Sequence, residues 1–216
     1  MNEPVRNPVP GAASSLSSAR PMRLSILGST GSIGASALDL VRREPGRFAV
    51  EALVAGSDTA LLAEQAFAVR ARIAVVADPS GYADLSARLA GTGVAVAAGL
   101  AAVIEAASRP TDIVLSAIVG AAGLAPSVAA IGACRTVALA NKETLVCAGG
   151  LFMNAAAARG VRILPVDSEH NAIFQVLETR NASEVTEIVL TASGGPFRTL
   201  AADDLARVTP AMALKH

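Results

Sequence analysis

Short apolar runs alternate along this chain with longer stretches whose apolar residues recur every three or four positions. The first run, residues 23–27, predicts a strand that enters a glycine-rich loop. Residues 32–43 then read as a helix that stops before Pro45-Gly46, as helices do ahead of proline. Residues 49–54 predict a strand, 59–70 a helix, 73–77 a strand and 82–89 a helix. The alternation continues with a weak strand at 94–97, a helix at 101–108, a strand at 112–117 and a helix at 124–131. A strand at 136–140, a helix at 143–159 and a strand at 161–166 complete it. Strands alternating with helices of about ten residues build βαβ units around a largely parallel sheet. The expected fold class is therefore α/β, a Rossmann-like parallel sheet with helices on both faces. Such sheets bind ligands beyond the carboxyl ends of their strands.

After residue 165 the pattern changes. Residues 171–179 read as a helix, 184–191 alternate and are rich in valine, isoleucine and threonine, and 202–207 read as a helix. This predicts the start of a second, α+β domain. The expected organisation is a disordered leader over 1–20, a Rossmann-like domain over 21–165, and the beginning of a second domain over 166–216. The leader assignment rests on Pro4, Pro8, Pro10, Gly11 and the serines at 14, 15, 17 and 18. No long apolar region accompanies them, which argues against a secretory signal.

Composition narrows the classes. About half the residues are apolar (52%), and the 18 basic and 18 acidic residues cancel. The arginines are scattered, so no concentrated basic surface points to nucleic acid. No apolar run reaches the roughly 20 residues of a membrane-spanning helix. Cys134 and Cys147 lie in no CxxC pair and read as buried free thiols. Lysine occurs only at 142 and 215, which draws attention to Lys142.

The candidate chemistry falls at predicted strand ends. Gly28-Ser29-Thr30-Gly31-Ser32-Ile33-Gly34 joins the first strand to the first helix with GxxGxxG spacing. Glycines permit a tight turn and a close backbone approach to a phosphate, and the helix start offers free N–H groups. A ligand-free strand–helix turn is the plain alternative, and the position after the first strand favours a nucleotide. The second strand ends at Gly56-Ser57-Asp58. An acid there suits a free ribose hydroxyl, but an N-cap for the next helix is the preferred reading of Asp58. Asn141-Lys142-Glu143 places a lysine at a strand mouth, where it can hold a phosphate or polarise a carbonyl, or simply begin a solvated helix. In Asp167-Ser168-Glu169-His170 an extended backbone would point Asp167 and Glu169 the same way. Two such carboxylates suit a hard divalent cation such as magnesium or manganese. A helix N-terminus capped by Asp167 or Ser168 is compatible with that role. The hydroxyl- and glycine-rich segment from Thr191 to Arg198 can wrap a phosphate through Ser193, or form a plain turn.

Taken in order, GSTGSIG at 28–34, SAIVGAAG at 116–123, LANKETLV at 139–146, LPVDSEHNAIFQ at 164–175 and SGGPFR at 193–198 resemble the 1-deoxy-D-xylulose 5-phosphate reductoisomerase family. The resemblance runs from about residue 22 to the end of the chain. It implies an NADPH- and divalent-metal-dependent enzyme (magnesium, manganese or cobalt). Such an enzyme converts 1-deoxy-D-xylulose 5-phosphate to 2-C-methyl-D-erythritol 4-phosphate in isoprenoid precursor synthesis. It implies that Thr30, Gly31, Ser32 and Ile33 bind NADPH, that Gly56, Ser57 and Asp58 lie at its ribose, and that Ala117, Ile118, Val119 and Gly120 line it. Asn141 and Glu143 would meet the nicotinamide end. Lys142, Ser168, Glu169, Ser193 and His216 would bind substrate, with Lys142 and Glu169 as catalytic residues and Asp167 and Glu169 as metal ligands. A homodimer and a bacterial cytoplasmic setting are also implied, with a plastid as the lesser alternative. The family usually carries a basic residue and an asparagine where this chain has Ser57 and Asp58, which weakens the case for tight 2′-phosphate binding. The family chain also continues beyond the position of His216, so the fragment is expected to bind NADPH weakly and to be inactive alone. The rival readings are another Rossmann-type dehydrogenase and a nucleotide-binding module without chemistry.

Overall fold

A computed structural model describes residues 20–177, 183–190 and 195–215. The first strand, β1 (Met22–Leu27), is buried from Leu24 onward. Its start is held by Asp112, which accepts a hydrogen bond from the Arg23 N–H at 2.9 Å and pairs with Arg20. The Arg23 hydrogen bond, followed by the nearby guanidinium groups of Arg20 and Arg135, keeps the Asp112 carboxyl below its ordinary range. Six further strands follow: β2 (Phe48–Ala55), β3 (Ile73–Val76), β4 (Ala95–Ala98), β5 (Ile113–Ser116), β6 (Thr136–Leu139) and β7 (Arg162–Pro165). Their order in the sheet is β4-β3-β2-β1-β5-β6-β7, and the pairings from β4 to β6 are parallel.

The connections are helical: α1 (Ser32–Arg43), α2 (Thr59–Ala68), α3 (Tyr82–Arg88), α4 (Leu100–Ala107), α5 (Leu124–Ala130) and α6 (Glu143–Arg159). Right-handed crossovers place α1 to α3 on one face, where the chain walks outward from β1. They place α4 to α6 on the other face, where it returns and walks outward through β5. Strand alternation fits this division. Ala52 and Val54 of β2 join Leu27, Val75, Val103, Ala107, Val137 and Phe152 in one core cluster, and Leu53 between them is fully buried on the opposite side. The strand order reverses direction between β1 and β5. A crevice therefore opens at their carboxyl ends, and that is where such sheets place a ligand.

The chain divides into two compact units between Leu164 and Pro165. In the second unit, α7 (Ser168–Val176) is followed by a 3-10 turn at Gly195–Phe197 and by two short helices, α8 (Ala202–Leu205) and α9 (Pro210–Ala213). Among its described residues only Asp167 is buried.

Two expectations need correction. Residues 185–190 form no strand. Alternating valine and isoleucine favour extended backbone, but a strand must also pair its N–H and C=O groups with a neighbour, and no described residue pairs with this segment. The regular elements described in the second unit are helical. Cys147 is exposed, not buried, because the first turn of α6 turns Thr144 inward and leaves Val146 and Cys147 outside. Among the described residues no helix is long and apolar enough to cross a membrane.

Candidate functional site

The glycine loop owes its shape to close backbone packing. The N–H groups of Gly28 and Ser29 both donate to the Val54 carbonyl at 2.8 Å, which ties the loop to the end of β2. Gly28 has φ +92°, and a Cβ there would lie 2.5 Å from the Ala117 carbonyl oxygen, so only glycine fits against the exit of β5. A Cβ on Gly34 would lie 2.3 Å from the Gly28 carbonyl oxygen. Two of the three glycines are thus needed for backbone to rest on backbone. Gly31 differs. A Cβ there would meet only the Gly28 oxygen, at an ordinary 3.5 Å.

Gly31 is also the N-cap of α1. It offers no side-chain cap, and the first turn carries no acid. The Ala35 N–H makes the first helical bond, to the Gly31 carbonyl at 2.8 Å. The N–H groups of Ser32, Ile33 and Gly34 therefore lie outside the helical ladder. They belong to the amino end of a 12-residue helix whose dipole favours an anion. Thr30 is half-buried and Ser32 exposed beside them.

At the end of β2, Gly56, Ser57 and Asp58 are exposed. Asp58 caps α2 by accepting from the Leu61 N–H at 2.9 Å, the preferred reading from sequence. Close by, Thr59 Oγ1 donates to Asp84 at 2.5 Å, and Arg88 Nε donates to the same carboxylate at 2.7 Å. Arg88 first, then Thr59, hold the Asp84 carboxyl below its ordinary range. A cleft of about 770 Å³ runs past Asp58, Leu61, Phe67 and Arg88, and no glycine-loop residue lines it.

The exits of β5 and β6 are joined by one side chain. Asn141 is 2% exposed. Its Nδ2 donates to the carbonyls of Ile118 and, at 2.9 Å, Gly120. Its Oδ1 accepts from the Thr144 N–H at 2.8 Å and from Thr144 Oγ1 at 2.5 Å. Beneath the same loop, Ser116 Oγ and Ser127 Oγ lie 2.5 Å apart, and Ser127 donates to the Gly123 carbonyl at 2.6 Å. Lys142 is exposed at the start of α6, and Glu143 is half-buried in its first turn. The loops at 28–34, 117–120 and 141–143 thus converge on the switch point, while Val119 stands fully out at 84% exposure.

In the second unit, Asp167 is the N-cap of α7, with φ −60° and ψ 150°. Its Oδ1 accepts from the His170 N–H and its Oδ2 faces His170 Nδ1, both at 2.9 Å. Asn171 Nδ2 donates to the Pro165 carbonyl at 2.8 Å and fixes the approach to the helix. The extended pairing of Asp167 with Glu169 does not occur, because the chain turns into α7 at Ser168 and places Glu169 in its first turn. Ser168 is exposed and Glu169 half-buried. Ser193 and His216 lie outside the described residues. No group of three or more metal-ligating side chains occurs among the described residues.

Several supporting residues carried no signal strong enough to be singled out from sequence. Gln65 of α2 is 8% exposed and donates through Nε2 to the Ser29 carbonyl at 3.1 Å. Its only sequence mark is a polar residue among apolar ones in Leu62, Ala63 and Ala66. Thr144, Ser116, Ser127 and Gly123 belong to the network around Asn141, and nothing in their spacing reveals it.

Comparison with known proteins follows the same lines. The model of the 1-deoxy-D-xylulose 5-phosphate reductoisomerase family matches residues 24–149, and that of its C-terminal domain matches residues 163–216. A 1-deoxy-D-xylulose 5-phosphate reductoisomerase of Rhodopseudomonas palustris (strain TIE-1) is 57% identical over 193 residues, which is 89% of this chain and 47% of the relative. The enzyme of that name from Zymomonas mobilis, solved in complex with NADPH, superposes with a TM-score of 0.82 at 50% identity, covering 90% of this chain and 52% of the other. A DOX-P reductoisomerase solved with NADPH, fosmidomycin and magnesium gives a TM-score of 0.78 at 38% identity over 89% of this chain and 50% of the other. The chain spans about half the length of the curated relatives it matches.

Proposed function

This chain belongs to the 1-deoxy-D-xylulose 5-phosphate reductoisomerase family, and from that premise we propose that it binds NADPH at the β1/β5 switch point and contributes substrate and metal ligands to the family reaction. The observation that carries the proposal is the uncapped amino end of α1, presented by a glycine loop that packs backbone against backbone. Three N–H groups and a helix dipole await a diphosphate there. Thr30 and Ser32 add hydroxyls, Ala117 to Gly120 form the facing wall, and Glu143 lies beside it.

The acids of the second unit suit a divalent cation. Asp167 is a hard oxygen donor whose carboxylate is oriented by His170. Glu169 supplies a second hard donor one residue beyond the cap. Two oxygen ligands leave coordination positions for substrate, as magnesium or manganese would require. When bound, the cation supplies Lewis-acid polarisation of the substrate oxygens, and NADPH supplies the hydride. This chain's residues hold and orient. Lys142 places a positive charge for the sugar phosphate, Ser168 donates a hydrogen bond, and His170 keeps Asp167 oriented. Ser193 and His216 are proposed as further substrate ligands on the family resemblance alone. A homodimer working in a bacterial cytoplasm belongs to the same proposal.

The test is NADPH consumption driven by 1-deoxy-D-xylulose 5-phosphate and a divalent cation. It is measured on this chain extended to the length of its relatives, alongside NADPH binding by the 216-residue chain. Binding by the shorter chain and turnover by the longer one are expected, with turnover lost at least about a hundredfold in Glu169→Gln or Lys142→Ala, the scale on which a group stabilising developing charge acts. Turnover that survives Glu169→Gln would remove that residue from the metal site. No NADPH binding by either chain would overturn the proposal.

A further inference from the structure

We infer that Gln65 of α2 is a positioning residue of the nucleotide site. Its buried amide holds the Ser29 carbonyl toward α2 and so turns the Thr30 N–H the opposite way, to join the free N–H groups at the start of α1. The inference rests on the NADPH reading above for its ligand and on the geometry of one peptide unit for its mechanism.

Ser29 is fully buried, and its N–H donates to the Val54 carbonyl at the end of β2. Its carbonyl accepts from Gln65 Nε2 at 3.1 Å, and among the described residues no other donor reaches it. A carbonyl accepts only, so Nε2 is the end of the amide that lies there. A trans peptide unit is planar, and its C=O and the following N–H point in opposite directions. With the Ser29 carbonyl held toward α2, the Thr30 N–H points away from α2, and no described group accepts from it. Half a turn of this peptide would exchange the two groups and present an oxygen to an incoming diphosphate in place of a donor. The first turn of α1 rests on the same unit. A Cβ on Gly34 would lie 2.6 Å from Ser29 Cα and 2.7 Å from its carbonyl oxygen. The peptide that Gln65 holds is thus in contact with the turn that carries the other N–H groups.

Packing alone does not explain an amide at this position. Gln65 is 8% exposed on the face of α2 that also buries Leu62, Ala63 and Ala66. Its Oε1 is buried and has no partner among the described residues. A buried amide with one group unpaired is less favourable than a methionine of similar length. The bond to Ser29 is what the amide adds.

The test separates positioning from stability on the 216-residue chain. Gln65→Met keeps the side chain's length and helix preference and removes its donor. It also removes the unpaired Oε1, so the urea midpoint is expected to stay within about 0.5 M of wild type. NADPH affinity, measured by nicotinamide fluorescence, is expected to fall at least about tenfold in the same variant. Gln65→Glu at pH 8 keeps the shape and turns an oxygen toward the Ser29 carbonyl, so it should weaken NADPH at least as much. Ala63→Gly lowers the helix preference of α2 and leaves the amide in place. It should cost stability and change NADPH affinity less than about threefold. Without ligand, the carbon-13 resonance of the Ser29 carbonyl reads the hydrogen bond directly. It should move upfield in Gln65→Met and stay in place in Ala63→Gly. Unchanged NADPH affinity in Gln65→Met, an equal loss in Ala63→Gly, or an unmoved Ser29 resonance would each overturn the positioning role. A Gln65→Met chain that fails to fold would overturn it too, because the amide would then serve the fold. A wild-type chain that binds no NADPH would overturn the functional reading instead, and the Ser29 resonance would still decide whether Gln65 holds the peptide.

Discussion

The three glycines of the first loop look alike in the sequence and differ in the structure. Gly28 needs its positive φ and its missing Cβ, and Gly34 needs the missing Cβ. Gly31, with φ −76° and ψ 169°, is in extended backbone that any residue adopts. Gly28→Ala is expected to cost at least about 2 kcal/mol, from backbone strain together with overpacking. Gly31→Ala should cost less than about 1 kcal/mol, the loss of a modest N-cap. Urea denaturation followed by circular dichroism compares them, and equal losses would contradict this division. The spacing GxxGxxG showed where a phosphate would sit. It did not show which glycine serves the packing and which the helix start, because that depends on Ala117, ninety residues away in the chain. Asp58 was more legible. Its cap is a local affair of three residues, and the structure forms it. Asn141 was least legible, since its partners Ile118 and Gly120 have no polar side chain that could announce them.

At the scale of elements, periodicity located every strand and α-helix described in the first unit, with ends that moved by a residue or two, and missed the 3-10 turns at Pro79–Gly81 and Ala121–Gly123. It could not foresee how α6 is built. The helix carries non-helical angles at Ala148, φ −147° and ψ 28°, immediately before Gly149 and Gly150. Glycine costs roughly 1 kcal/mol relative to alanine in a helix interior, and nothing lies within 4 Å of a Cβ built on Gly150. Gly150→Ala should therefore raise stability by up to about 1 kcal/mol, read from a higher urea midpoint at unchanged slope. A loss of stability would mean that the break at Ala148 needs a glycine after it. Residues 184–191 teach the complementary lesson. Their alternation expresses a preference for extended backbone, but a strand is completed only by a partner, and a partner is not a property of the segment. The aspartate at 167 allowed two compatible readings, and the structure forms the N-cap, with Oδ1 accepting from the His170 N–H.

At the scale of the molecule, burial is divided as the two units are. The principal core cluster is built entirely from residues between Leu27 and Val161, and the described residues of the second unit contribute only Asp167 to the buried set. Apolar side chains there stand in solvent instead: Phe174 at 54%, Val176 at 80%, Val189 at 76% and Leu214 at 86% exposure. Hydrophobic burial is the dominant favourable term in folding, so the first unit holds the means of its own stability. A chain ending at Leu164 keeps the α1 terminus, the Asn141 hydrogen bonds and every buried strand. It should unfold in one cooperative transition, with a urea midpoint within about 0.5 M of the main transition of the whole chain. If the nucleotide reading is right, it should also bind NADPH within about threefold of the whole chain, because no residue proposed to touch the cofactor lies beyond Glu143. A cut chain that folds but loses NADPH would show that the second unit completes the nucleotide site. One that fails to fold would show that the second unit supplies stability which the burial pattern does not reveal.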